Sequence, residues 1–120
     1  MAAKLSAEER LAQMSFASVY PHYVTKIEKK GRTINELHQV IEWLTGYDSK
    51  SLQEILDNQV NFRDFFLLAN LNSNAHLITG TICGYRIEEI KDEFMKQIRY
   101  LDKLVDELAK GKAMDKILRS

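Results

Sequence analysis

The sequence predicts an all-α protein, a compact bundle of about six helices with one long C-terminal amphipathic helix. Three observations lead there. Phe94, Ile98, Leu101, Val105 and Leu108 recur at intervals of four and three, which draws one apolar stripe along a helix. Helix punctuation runs from end to end: Ser6–Glu9 and Thr33–Glu36 have capping-box spacing, and Gly31, Gly46 and Gly111 stand where helices stop. Third, no two alternating segments offer themselves as sheet partners. With 120 residues, 45% of them apolar and 28% charged, the chain can bury a core without disulfides or a structural metal. Residues 1–15 are expected to form a short N-terminal helix or extension, and residues 16–120 a single helical domain.

Taken in order, Ser6 caps a helix near residues 7–14 that carries only Leu11, Ala12 and Met14 as apolar residues. Pro21 is expected in the first turn of a second helix, where its missing N–H costs nothing; Tyr23, Val24 and Ile27 give that helix its inner face. Thr33 opens a third helix with Ile34, Leu37, Val40, Ile41 and Leu44 inward and Trp43 beside them. Asp48 or Ser49 caps a fourth with Leu52, Ile55 and Leu56. Asn61 caps a fifth containing Phe62, Phe65, Phe66 and Leu68.

Residues 70–74, Asn-Leu-Asn-Ser-Asn, read as a loop. The segment after it is ambiguous. Its β-branched residues favour a strand, but a lone strand has nothing to pair with, so a helix is preferred. Gly80 and Gly84 would then share a face and admit a neighbouring backbone, and Gly84→Leu would disrupt a crowded contact. Residues 82–112 carry the long amphipathic helix, capped at Asp92 and stopped at Gly111, and Met114, Ile117 and Leu118 make a terminal turn. The helices opened by Thr33 and Asp92 are expected to form the spine.

Charge excludes some functions. The 17 basic and 17 acidic residues cancel, so no global field draws in nucleic acid or an anionic membrane. The distribution is uneven, at +3 over residues 1–33, −4 over 34–70 and +1 over the remainder. The N-terminal residues lack the apolar core of a signal peptide, and no apolar run reaches membrane-spanning length. A cytoplasmic protein without membrane contact is the expectation.

Chemistry-bearing motifs are few. Cys83 is the single cysteine, which rules out an internal disulfide and a cysteine-rich metal site. It is the strongest catalytic candidate, with Arg86 three residues on to favour a thiolate if the segment is helical. Against that stands the commoner role of a small buried residue. His38 and Glu42 have chelating spacing, yet neither they nor His22 and His76 belong to a three-ligand pattern. Phosphate-loop, dinucleotide and nucleophile-elbow motifs are lacking. No catalytic residue, metal or cofactor is therefore assigned.

Two binding classes remain. Residues 33–56 have a helix-turn-helix outline, but the second helix presents Glu54 and Asp57 beside Lys50 and Gln53, which a phosphate surface repels. Lys26, Lys29, Lys30 and Arg32 form one basic helix end, and Lys110, Lys112, Lys116 and Arg119 another, where cations complement the helix dipole. Nucleic acid is an unlikely partner on this charge pattern, and weak binding through those ends is the third choice. Protein–protein contact is preferred. Tyr20, Tyr23, Tyr47, Tyr85 and Tyr100, with Arg86 and Arg99, are of types enriched at interfaces, and Tyr47, Cys83, Arg86, Arg99 and Tyr100 are the candidate contact residues. Tyr100 and Leu104 widen the apolar arc of the long helix, so a homodimer is one form this contact would take. Arg99–Asp102, Asp92–Lys96 and Asp106–Lys110 are expected as ion pairs on the outer face.

Five blocks then carry a family likeness: Phe16-Ala-Ser-Val-Tyr-Pro-His-Tyr23, Lys30-Gly-Arg-Thr33, Trp43-Leu-Thr-Gly-Tyr47, Ile82-Cys-Gly-Tyr-Arg86 and the run 98–112. In this order and spacing the chain resembles the bacterial family known as domain of unknown function 2200, from about Met14 to Arg119. The resemblance implies a compact, mainly helical, cytosolic bacterial protein and brings no activity to any residue. Function is therefore expected to be that of a non-catalytic interaction or accessory module, with a small enzyme using Cys83 near Arg86 as the alternative.

Overall fold

Helix α6 (Glu93–Ala109) is the axis around which the other elements pack. Asp92 caps it by accepting the Met95 N–H at 2.9 Å, so the helix begins at Glu93 and not near residue 82. Ile98, Leu101, Val105 and Leu108 are buried as the stripe requires. Tyr100 and Leu104 are buried too, inside the same chain. The widened arc therefore covers itself and offers nothing to a second copy.

The computed structural model describes residues 7–119, and the expected Ser6 cap lies outside them. Before α6 come α1 (Ala7–Gln13), α2 (Phe16–Glu28), α3 (Ile34–Thr45), α4 (Ser49–Asp57) and α5 (Phe62–Leu67), and α7 (Met114–Ile117) follows it. Helices α2 and α3 pack on α6 and on each other, α4 lies against both, and α1 covers α5. The fold is an all-α bundle.

Local chemistry explains the boundaries. The Thr33–Glu36 capping box forms in both directions, and Asp48 and Asn61 accept the Ser51 and Asp64 N–H groups. Helix α3 ends at Gly46 in the left-handed conformation, φ +75°. A Cβ there would lie 2.9 Å from the Asn70 carbonyl oxygen, so only glycine fits. The 70–74 loop crosses at that point and ties off the helix end: the Asn70 and Asn72 N–H groups donate to the Thr45 and Leu44 carbonyls, and the Asn72 side chain donates to Trp43.

Pro21 departs from expectation. It lies inside α2, because Ser15 caps the helix five residues before the expected start. The missing N–H leaves the Ala17 carbonyl without its helical donor, at a typical cost of about 3 kcal/mol. Offsetting this, the earlier start carries Phe16 into the core, face to face with Phe65 at 4.0 Å, and lets its N–H donate to the Val60 carbonyl. Burying a ring of that size contributes about 1.5–3 kcal/mol. The Phe-Phe-Leu-Leu run divides: Phe62, Phe65 and Phe66 join this aromatic cluster, while Leu67 and Leu68 are 74% and 71% exposed.

The largest departure is between α5 and α6. Residues 75–91 are not helical: a 3₁₀ turn (Ala75–Leu77) leads to β1 (Thr81–Ile82), which pairs antiparallel with β2 (Tyr85–Arg86), and a second 3₁₀ turn (Ile87–Glu89) follows. Cys83 and Gly84 form the two-residue connection, with φ +52° and +81°. Positive φ at both positions is the type I′ pattern that suits the twist of a hairpin. The strand that lacked a distant partner finds one in the next four residues. Gly80 and Gly84 therefore share no helix face, and a Cβ on Gly84 would meet open space, so the crowding expected there is absent. The close backbone approach is at Gly46 instead.

A buried carboxylate fastens the C-terminal end. Glu107 is held by both Nη atoms of Arg119, at 2.8 and 2.7 Å, and by Lys112 Nζ at 3.3 Å. Burial alone would push its carboxyl up from the usual 4.5, but the Arg119 and Lys112 contacts outweigh it and hold it below. A carboxyl depressed in the folded state stabilises fully above its unfolded value, and that stability is lost as pH falls through the folded one. Glu107→Gln is expected to cost about 1–3 kcal/mol at neutral pH. It should also flatten the acid limb of stability against pH, measured by urea unfolding between neutrality and the carboxylate range. An unchanged slope would count against the clamp.

Candidate functional site

Three of the five likeness blocks meet at the hairpin. The first supplies His22 and Tyr23 from α2, the fourth supplies Cys83, Tyr85 and Arg86, and the fifth supplies Arg99, Asp102 and Val105 from α6. Asp102 is the hub. Its carboxylate accepts from Arg99 Nη1 at 2.8 Å and from the Tyr23 hydroxyl. The Arg99 and Asp102 side chains are only 16% and 17% exposed, so this pair lies under the hairpin and does not decorate the outer face as expected. Burial pushes the Asp102 carboxyl up, more than the Arg99 guanidinium draws it down. Burial, followed by the adjacent Asp102 charge, likewise raises the Tyr23 phenol far above its usual range, which keeps it protonated as a donor.

The guanidinium of Arg99 also lies 4.8 Å from the centre of the Tyr85 ring, a cation–π contact. Its Nε is buried with no hydrogen-bond partner among the described residues. A series of contacts thus runs outward from Tyr23 through Asp102 and Arg99 to Tyr85, a residue 53% exposed. Beside Tyr85 a depression of about 440 Å³ is lined by Arg86, Ile90, Lys91 and Met95. On the other side of the hairpin, a smaller one of about 190 Å³ is lined by His22, Tyr23, Lys26, Cys83 and Asp102.

The five candidate contact residues are distributed unequally. Cys83 is exposed at the hairpin tip, which corrects the buried role weighed for it. Arg86 is exposed and turns toward Glu89 at 3.9 Å; since the segment is a hairpin, it does not share a helix face with the thiol. Arg99 supports Tyr85 from below. Tyr47 lies apart, half-buried, with its hydroxyl donating to the Phe65 carbonyl at 2.6 Å. Tyr100 is buried. The hairpin thus brings together Cys83, Arg86 and Arg99, and leaves Tyr47 and Tyr100 elsewhere in the bundle. Tyr85, Tyr23 and Asp102, which lie at the same hairpin, were not among the five, although both tyrosines are of the interface-enriched types. The available signal was the Cys-Gly dipeptide between Thr-Ile and Tyr-Arg, a two-residue connection of hairpin length.

Other candidates are placed as follows. His38 Nε2 pairs with the Tyr20 hydroxyl, and Glu42 accepts from the Ser49 hydroxyl. Among the described residues no group of three His, Cys, Asp or Glu side chains could hold a metal. Asp92 serves as a cap, and Asp106 binds Lys110 at 3.0 Å as its spacing suggested. The two basic helix ends, separate in sequence, are neighbours in space. Arg32 donates to the Lys112 carbonyl at 3.1 Å, and Lys26 reaches Asp106 at 3.3 Å.

This combination of an all-α bundle and a short exposed hairpin falls within a recognised class. The family described as "Uncharacterized protein conserved in bacteria (DUF2200)" matches residues 10–119, and the chain belongs to that family. Among solved structures, the crystal structure of the uncharacterized protein SP1917 is similar. It is 45% identical, covers 97% of this chain and 94% of its own, and superposes with a TM-score of 0.87. No curated protein matches the chain. Among the described residues no helix is long and apolar enough to cross a membrane.

Proposed function

We propose that the chain is a non-catalytic interaction module of the bacterial cytosol, and that it meets its protein partner through the hairpin face of Tyr85, Arg86 and Cys83. The observation that carries this is the exposed Tyr85, its ring in cation–π contact with the largely buried Arg99 guanidinium. An aromatic already fixed at the surface loses little freedom on binding, and Tyr and Arg dominate the residues that carry interface energy. Burial of the Arg99–Asp102–Tyr23 support favours a preorganised contact over a mobile one. Catalysis by Cys83 lacks the Arg86 neighbour on which it rested.

Capture from a bacterial lysate with wild type, Tyr85→Phe and Tyr85→Ala tests this. A protein retained by wild type and Tyr85→Phe should bind Tyr85→Ala at least about tenfold more weakly, in line with a truncated aromatic anchor. Sedimentation of the same three proteins checks whether the partner is a second copy. Retention and self-association indifferent to Tyr85→Ala would overturn the assignment, as would a turnover lost on Cys83→Ser.

A further inference from the structure

We propose that the groove between the C-terminal turns of α2 and α6 binds a compact polyphosphate anion. The groove holds about 740 Å³, within the range of small-molecule sites, and lies apart from the face of Tyr85 and Arg86. Lys26, Lys29, Lys30 and Lys110 line it, with the Thr25 hydroxyl as a further donor. Asp106 is the one carboxylate in its wall. Each Asp106 oxygen engages one lysine, Lys26 at 3.3 Å and Lys110 at 3.0 Å. That fixes two ammonium groups on the wall while leaving most of their three donors unused. Both lysine side chains stay open to solvent.

Lys29 and Lys30 have no carboxylate within ion-pair distance among the described residues. Two other acids of this end of the molecule are engaged by other cations. Glu36 is held by Arg32 at 2.9 Å, and Glu107 by Arg119 and Lys112. Four lysines therefore line a groove that has one carboxylate in its wall. Two helix C-termini offset part of the excess, each equivalent to about half a negative charge. That compensation accounts for one or two lysines at a helix end, not for four converging on one hollow.

Charge density selects the ligand class. A di- or triphosphate carries several charges within the span of the groove, as a single carboxylate does not. A nucleic-acid duplex presents a phosphate charge about every 1.7 Å and needs contacts well beyond one hollow. The chain does not supply them, since residues 34–70 carry −4 and the whole chain is neutral. Inorganic polyphosphate and a nucleoside triphosphate share the recognised chemistry.

Calorimetric titration of the full chain with inorganic tripolyphosphate, ATP and a short DNA duplex tests this, at about 50 and 200 mM salt. Tripolyphosphate should saturate at one per chain, weaken with salt, and compete with ATP if the nucleotide binds. Lys29→Gln/Lys30→Gln, which breaks no ion pair, should lower affinity at least tenfold. Lys50→Gln/Lys96→Gln, away from the groove, should leave affinity unchanged. No saturable binding, equal loss in both double variants, no loss in the first, or a duplex bound more tightly than tripolyphosphate would each overturn the assignment.

Discussion

Leu101→Ala is expected to lower the free energy of unfolding by about 2–5 kcal/mol. Leu101 has no exposed surface and sits midway along α6, where the apolar stripe faces the other helices. Truncation removes buried methyl groups and leaves a cavity that several packed elements would have to move together to close. A collapse of that kind is unfavourable in an interior packed as densely as an organic crystal. Urea unfolding followed by far-ultraviolet circular dichroism gives the change in midpoint, and an unchanged slope identifies it as a stability effect. A loss below about 1 kcal/mol, the scale of a surface substitution, would remove α6 from the centre of the core.

Phe65→Ala should cost a comparable amount, about 3–5 kcal/mol, for a different reason. Its ring stacks on Phe16 at 4.0 Å and meets Phe62 and Phe66 edge-on. Aromatic contacts of these geometries add about 0.5–1.5 kcal/mol each beyond burial alone. The early start of α2 depends on Phe16 finding that partner, since Phe16 offsets the interior Pro21. The variant is therefore expected to lose helical signal as well as stability, through fraying between Phe16 and Pro21. Phe65→Leu, which restores most of the volume, should recover a large part of the stability. Equal stability of Phe65→Ala and wild type would show that α2 is held by other contacts.

Much of the fold was legible in the residues. Thr33, Asp48, Asn61 and Asp92 each cap the helix that begins after them, and Gly46 ends α3, because capping is decided within four residues of chain. The Leu37, Leu101 and Leu108 stripes were legible for the same reason. Pro21 misled because its preference for a first turn is offset by the burial of Phe16 together with its hydrogen bond to Val60 and its stacking on Phe65, almost fifty positions away. The hairpin was missed because Cys-Gly is a weak turn signal beside Asn-Gly, and because a strand partner was sought at a distance.

The candidate site was less legible than the fold. Arg86 and Cys83 were singled out as helix neighbours, and both stand on the hairpin without acting on each other. Asp102 looked like half of a surface ion pair with Arg99; the hairpin laid over it makes it a buried hub. Leu67 and Leu68 follow two buried phenylalanines in sequence yet face solvent, since α5 ends there.

Outside residues 75–91, the sequence by itself determined which segments are helical, where most of them start and stop, and which face of each is apolar. Those properties come from hydrogen bonds and side-chain spacings that reach no farther than one helical turn. Tertiary structure alone decided that His22, Cys83 and Asp102 surround one hollow, that Tyr85 rests on Arg99, and that the lysines of α2 and α6 converge. Such meetings join residues from fourteen to more than eighty positions apart, and only the packing of helices on α6 selects them from the many arrangements the same local rules allow.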